Sequence, residues 1–120
     1  MYGTYMILEN VMSSFVVDIN DLIKENSNKR LFSGRSNGED AFKFFKLNVV
    51  NENDILELKV PSEVVISSSY FLGMLEKIMW LYDDVNIYKK HVNESHLNSD
   101  NLKEYQRAVK RGFYKNRGLV

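Results

Sequence analysis

Residues Ile55–Met79 read ILELKVPSEVVISSSYFLGMLEKIM, and this stretch decides the fold. Ile55–Val60 alternates apolar and polar side chains, the period-2 pattern of a half-buried strand. Val64-Val65-Ile66 is a short β-branched run that suits a second strand. Three serines follow, Ser67, Ser68 and Ser69. From Tyr70 to Met79 apolar residues recur at helical spacing. A serine before such a run is a natural N-cap, because its hydroxyl accepts an orphan amide of the first turn. Strand, serine turn and apolar helix together put a cluster of hydroxyls at the positive end of a helix, where an anion is favoured.

Working outward, Trp80-Leu81-Tyr82 extends the apolar helix toward Asp83-Asp84, and so broad an apolar surface predicts burial on more than one side. Upstream, Ser36-Asn37-Gly38-Glu39 has the form of a capping box before Ala41, Phe42, Phe44, Phe45 and Leu47, which predicts a helix of about three turns. Lys29–Phe32 is a short strand leading into Ser33-Gly34-Arg35. Thr4–Leu8 reads as a first strand, with Ser14–Ile19 as its hairpin partner or a second strand. Asp21–Lys29 is ambiguous, a short helix around Leu22 and Ile23 being broken by Asn26-Ser27-Asn28. Downstream, Val85–Tyr88 reads as a strand and the polar Asn93–Ser99 as a loop. Ser99-Asp100 caps a last helix over Leu102, Tyr105, Ala108 and Val109, and Gly112 and Gly118 mark a fraying end. The expected organisation is one α/β (α+β) domain over 1–120, with N-terminal strands and a variable segment in 1–30 and a fraying tail at 112–120.

The bulk composition narrows the function. The chain has 120 residues, 44% of them apolar, one proline and six glycines, as in a globular protein with one core. It has no cysteine, which excludes disulfides, thiol catalysis and cysteine zinc sites. Formal net charge is zero, so no whole-molecule field gathers nucleic acid or anionic membrane. No run reaches the roughly 18 apolar residues of a membrane span, and Met1-Tyr2-Gly3-Thr4 leads into no signal-like segment. A cytoplasmic protein without membrane contact is the expectation.

The two helix starts, Ser33-Gly34-Arg35-Ser36-Asn37-Gly38-Glu39 and Val65-Ile66-Ser67-Ser68-Ser69-Tyr70-Phe71, and the last helix over 98–111 together resemble the STAS-like family, distant relatives of anti-sigma factor antagonists. The resemblance covers 31–111. It implies a mixed four- to five-stranded sheet with helices mainly on one face. It also implies a protein partner: an ATPase-type kinase or a transcription regulator that meets the start of the central helix. In such antagonists that kinase phosphorylates a serine there, and the matching residue here is Ser68 or Ser69. Ser67 and Tyr70 stand where the better-known antagonists have aspartate and glycine. The implied partner surface is Ser67, Ser68, Ser69 and Tyr70, with Arg35 beside it as a fork for phosphate or carboxylate.

A second surface competes for attention. Residues 103–117 hold six basic side chains and one acidic one, interleaved with aromatics. Arg107, Lys110, Arg111 and Lys115 can neutralise phosphates while an aromatic stacks on a base. This favours a nucleic-acid-associated accessory protein, one member of a nucleoprotein complex, or a phage- or mobile-element-type inhibitor of a bacterial defence nuclease. His91 and His96 stand five apart with Glu94 and Asp100 near, a spacing unlike a zinc pair, so no metal and no cofactor is expected. Phosphate-loop, dinucleotide and nucleophile-elbow patterns are missing from the sequence, so the expectation is a non-enzymatic interaction module.

Overall fold

The computed structural model describes residues 13–24 and 29–115. The expected strand Thr4–Leu8 and the break at Asn26–Asn28 lie outside them. Ile55–Lys59 (β3) is the middle strand of a three-stranded sheet, with Leu56 and Leu58 buried and the alternate residues half-buried. Ser14–Asp18 (β1) pairs with it on one side and Val92–His96 (β5) on the other, both parallel, in the order β1-β3-β5. Parallel neighbours need a crossover, and the chain supplies helices for both. The first crossover carries Asn20–Ile23 (α1), Leu31–Phe32 (β2) and Arg35–Phe44 (α2). The second carries Val65–Ile66 (β4), Ser68–Met79 (α3) and Val85–Lys90 (α4). Ser99–Lys110 (α5) closes the domain and runs into a π-turn, Arg111–Lys115.

The fold class is α/β, and among the described residues the strands form a sheet of three and a ribbon of two in place of one mixed sheet of four or five. β2 and β4 form their own two-stranded parallel ribbon, Leu31 opposite Val65 and Phe32 opposite Ile66. Every pairing among the described residues is parallel. Each ribbon strand runs directly into a helix, so the ribbon delivers the starts of α2 and α3 side by side. That is what positions the candidate site.

α3 is the core of the molecule. Tyr70 to Glu76, Ile78 and Met79 are all buried, as the broad apolar surface predicts. The helix ends at Met79, short of Asp83-Asp84, and Trp80 is its half-exposed C-cap. α2 packs along it at very short range. A methyl group on Gly38 would lie 2.1 Å from the Tyr70 carbonyl oxygen, and one on Gly73 would lie 2.0 Å from that of Arg35. The two backbones touch where both helices lack a side chain.

Several sequence expectations are corrected. Gly34, at φ 92°, is the N-cap of α2, and the helix starts at Arg35, so Ser36–Glu39 is not a capping box but its first turn. Asn37 instead donates its side-chain amide to the Ser33 carbonyl at 2.9 Å. Val85–Tyr88 is helical, not a strand. The Asp84 carboxylate accepts from the Asn86 amide at 2.7 Å, and Lys89 and Lys90 complement the dipole at the far end. Polar Asn93–Ser99 is not a loop: most of it is β5, held by pairing of Leu56 with buried Val92 and of Glu57 with Asn93. Tertiary pairing there outweighs weak β propensity. Gly112 does not fray; it is buried and faces Met79 and Leu72, followed by buried Phe113.

Two buried phenols join the last helix to α4. Tyr105 donates its hydroxyl proton to the Tyr88 hydroxyl at 3.0 Å. Burial pushes both phenols up from their ordinary value of 10.0, and burial followed by the Asp40 charge pushes Tyr70 up to about 12. A phenol held neutral by the fold ionises first in the unfolded chain, so stability is fully present below pH 10 and is lost as pH rises through the folded-state values. Urea unfolding across this alkaline range is expected to show a steep decline, shallower in the Tyr88→Phe/Tyr105→Phe double variant. The glycine contact gives a sharper expectation. Gly38→Ala and Gly73→Ala each lower the unfolding free energy by about 3 kcal/mol, because the obstacle is backbone. Gly112→Ala costs about 1 kcal/mol or less, since the flexible Met79 side chain can move aside.

Candidate functional site

The three serines have three different tasks. Ser67 is the N-cap of α3, in extended conformation, and its hydroxyl accepts from the Tyr70 amide at 3.2 Å. The Ser68 amide donates to the Glu104 carboxylate at 3.3 Å, across to α5. The Ser69 hydroxyl accepts from the Arg111 guanidinium at 3.4 Å, across to the π-turn. All three serines are half-buried. Tyr70 is 3% exposed, edge-on to Phe32 at 5.6 Å, so it belongs to the core and not to an accessible surface.

Arg35 opens α2 and reaches to Glu76 of α3, forming an ion pair with its carboxylate. The Arg35 side chain is 43% exposed, whereas that of Glu76 is 9% exposed. Glu76 lies seven residues after Ser69, two turns along the same strip of α3. The strip thus receives a guanidinium from each side, Arg35 from α2 and Arg111 from the end of α5.

The basic C-terminal segment and the serine cluster, separate in the sequence, are neighbours in space. Arg107 pairs with Glu104 at 2.5 Å, and the same Glu104 carboxylate caps the Ser68 amide. Lys103, Arg107 and Lys110 are exposed and follow one another along α5, while Arg111 is half-buried. Lys115 is the last residue of the π-turn. The site combines a half-buried helix start with neighbouring guanidinium and carboxylate groups, which suits docking of a polar protein surface.

Sequence reading missed three of the residues that build the site. Glu104 hides in a basic run, although its spacing from Arg107 is that of a helical ion pair. Glu76 is masked by the apolar pattern around it. Asn101 is 1% exposed, and its side chain accepts from the Ile66 amide at 3.0 Å and donates to the Val64 carbonyl at 2.8 Å. It extends β4 as a further strand would and fixes the residue immediately before Ser67. His91 stacks on Tyr82 at 5.2 Å, and His96 lies 3.6 Å from Glu57. Among the described residues no group of three His, Asp or Glu side chains could hold a metal ion, and no helix is long and apolar enough to cross a membrane.

No family model, curated protein or solved structure matches the chain.

The ion pair is open to a direct measurement. Arg35→Ala is expected to lower the unfolding free energy by about 1–2 kcal/mol, less than for a fully buried pair because Arg35 is partly solvated. In a Glu76→Gln background the same change costs less, and a double-variant cycle in urea reads the difference.

Proposed function

We propose that this chain is a non-enzymatic, STAS-like interaction module that binds a protein partner through the start of α3. The resemblance of the two helix starts supplies the partner class, an ATPase-type kinase or a transcription regulator acting in the cytoplasm. One observation carries the reading. Only Ser67 is consumed by helix capping, and Ser69 presents its hydroxyl beside Arg111 on a strip that Arg35 also flanks. A modified or acidic group at that hydroxyl places negative charge directly against the Arg111 guanidinium. Ser68 supports the same surface through its amide contact with Glu104.

The exposed basic stripe Lys103, Arg107 and Lys110 favours a second reading, a nucleic-acid-associated accessory protein or a phage-type inhibitor of a defence nuclease. The two separate cleanly. The tagged full chain is captured from its native cells, with and without nuclease, and its partners and serine modifications are read by mass spectrometry. The first reading expects a nuclease-resistant kinase or sigma-regulator partner whose recovery falls at least tenfold with Ser69→Glu and is unchanged with Lys110→Ala. Recovery of a nucleoprotein complex that disappears with nuclease or with Lys103→Ala/Lys110→Ala, and is indifferent to Ser69→Glu, replaces it with the second.

A further inference from the structure

α4, β5 and α5 enclose a cleft of about 320 Å³ that shares only Lys110 with the basic stripe just described. Its composition is divided by position. Val85 and Val109 give it apolar walls, and Tyr114, 36% exposed, gives it an accessible aromatic face. Lys89 and Lys110 supply two ammonium groups, one from each helix. Glu94 and Gln106 supply a carboxylate and an amide. The spacing explains the convergence. Val85 and Lys89 stand one turn apart on α4, and Gln106 and Lys110 one turn apart on α5. Tyr105 also lines the cleft, but its hydroxyl proton is committed to Tyr88, so it offers a wall and no donor.

The π-turn is the second observation. It turns the chain just after Lys110, burying Gly112 and Phe113 while leaving Tyr114 on the cleft. Such turns are rare and recur at functional sites.

From this chemistry we infer that the cleft binds one nucleotide, base against Tyr114 and between the valines, phosphate on Lys89 and Lys110. The volume is at the lower end for small-ligand sites. A bare inorganic anion has no use for apolar walls and is repelled by Glu94. A fatty acid fits the walls but brings no donor for Glu94 or Gln106. A base with an exocyclic amine satisfies both, stacks on an aromatic face and brings its own phosphate. The cleft thus prefers adenine, cytosine or guanine nucleotides, each with an exocyclic amine, over uridine ones. The nucleotide comes either free or as one unit of a single strand, and both present this same chemistry. The inference is independent of the protein-docking surface at Ser69.

Calorimetric titration of the full chain with AMP, UMP and octadeoxyadenylate tests it. AMP is expected to bind with a dissociation constant on the order of 10–1000 µM, and UMP several-fold more weakly. Tyr114→Ala weakens AMP about tenfold, as expected for loss of base stacking. Lys110→Ala weakens it and flattens the salt dependence. Glu94→Gln narrows the gap between AMP and UMP. Tyr114 and Lys110 are exposed, so thermal unfolding of those variants should match the parent and exclude misfolding as the cause. Octadeoxyadenylate binding more tightly than AMP, with the same variant sensitivity, supports the site and identifies a strand as its source. AMP binding with no gain for the oligonucleotide supports it with a free nucleotide. No binding of either ligand, or binding that Tyr114→Ala and Lys110→Ala leave unchanged, overturns it.

Discussion

Backbone contact between α2 and α3 at Gly38 and Gly73 is the constraint on which the rest of the structure depends. With no side chain at either position, the helices approach until a methyl group on one would enter the carbonyl of the other. That approach sets where Arg35 begins its helix, and hence that its guanidinium reaches Glu76. It also requires the two helices to leave from neighbouring points, which the β2–β4 ribbon provides. Two residues in each ribbon strand are enough because the ribbon has only to hold two helix starts in register. The Ser67 amide donates to the Phe32 carbonyl at 2.9 Å, carrying the ribbon up to the cap itself.

The start of α3 is overdetermined from the other side as well. Asn101 pairs with the last turn of chain before Ser67, Glu104 takes the Ser68 amide, and Arg111 takes the Ser69 hydroxyl. These three residues fall within eleven positions of one helix and its π-turn. A helix N-terminus normally leaves amides for solvent or for a ligand. Here one goes to the Ser67 hydroxyl and another to Glu104. The consequence is electrostatic: the positive end of the helix dipole is already met by a carboxylate. Under the proposed reading, a partner or modification at Ser69 acts chiefly through the Arg111 guanidinium that meets its hydroxyl and less through the helix end.

What was legible in the sequence followed from periodicity and capping. The alternation of Ile55–Lys59, the short strands ending at Phe32 and Ile66, a serine cap and the apolar helix all rest on local rules, and the structure has each of them, with Ser67 as the cap. Errors arose where a long-range contact overrode the local signal. Val85 and Ile87 alternate as a strand would, yet the Asp84 cap and burial of Tyr88 make the segment helical. Asn93–His96 looks like loop because its side chains are polar, yet pairing with β3 makes it an edge strand. The serine box at Ser36 was out-competed by glycines on both sides of it: Gly34 takes the positive-φ cap, and Gly38 is needed at the crossing. The site was half legible. Its serines, Arg35 and the basic helix could be named. That the serines and the basic helix are neighbours could not, because only the packing of α5 on α3 brings Arg111 to Ser69.

α5 gives the two surfaces a common frame. Toward β4 it turns Asn101 and toward α3 Glu104, and Arg111 follows in the π-turn; toward α4 it turns Gln106, Val109 and Lys110, with Tyr114 following. Arg111 and Tyr114 are separated by Gly112 and Phe113, both buried. The short segment that carries one cation to the serine site and one aromatic ring to the cleft is therefore clamped at its middle against Leu72, Met79 and Tyr88. A close-packed clamp transmits displacement and does not absorb it. Hence the geometry of Arg111 over Ser69 and that of Tyr114 over the cleft are set by one packing arrangement. That arrangement is built on α3, whose position is fixed in turn by the glycine contact with α2.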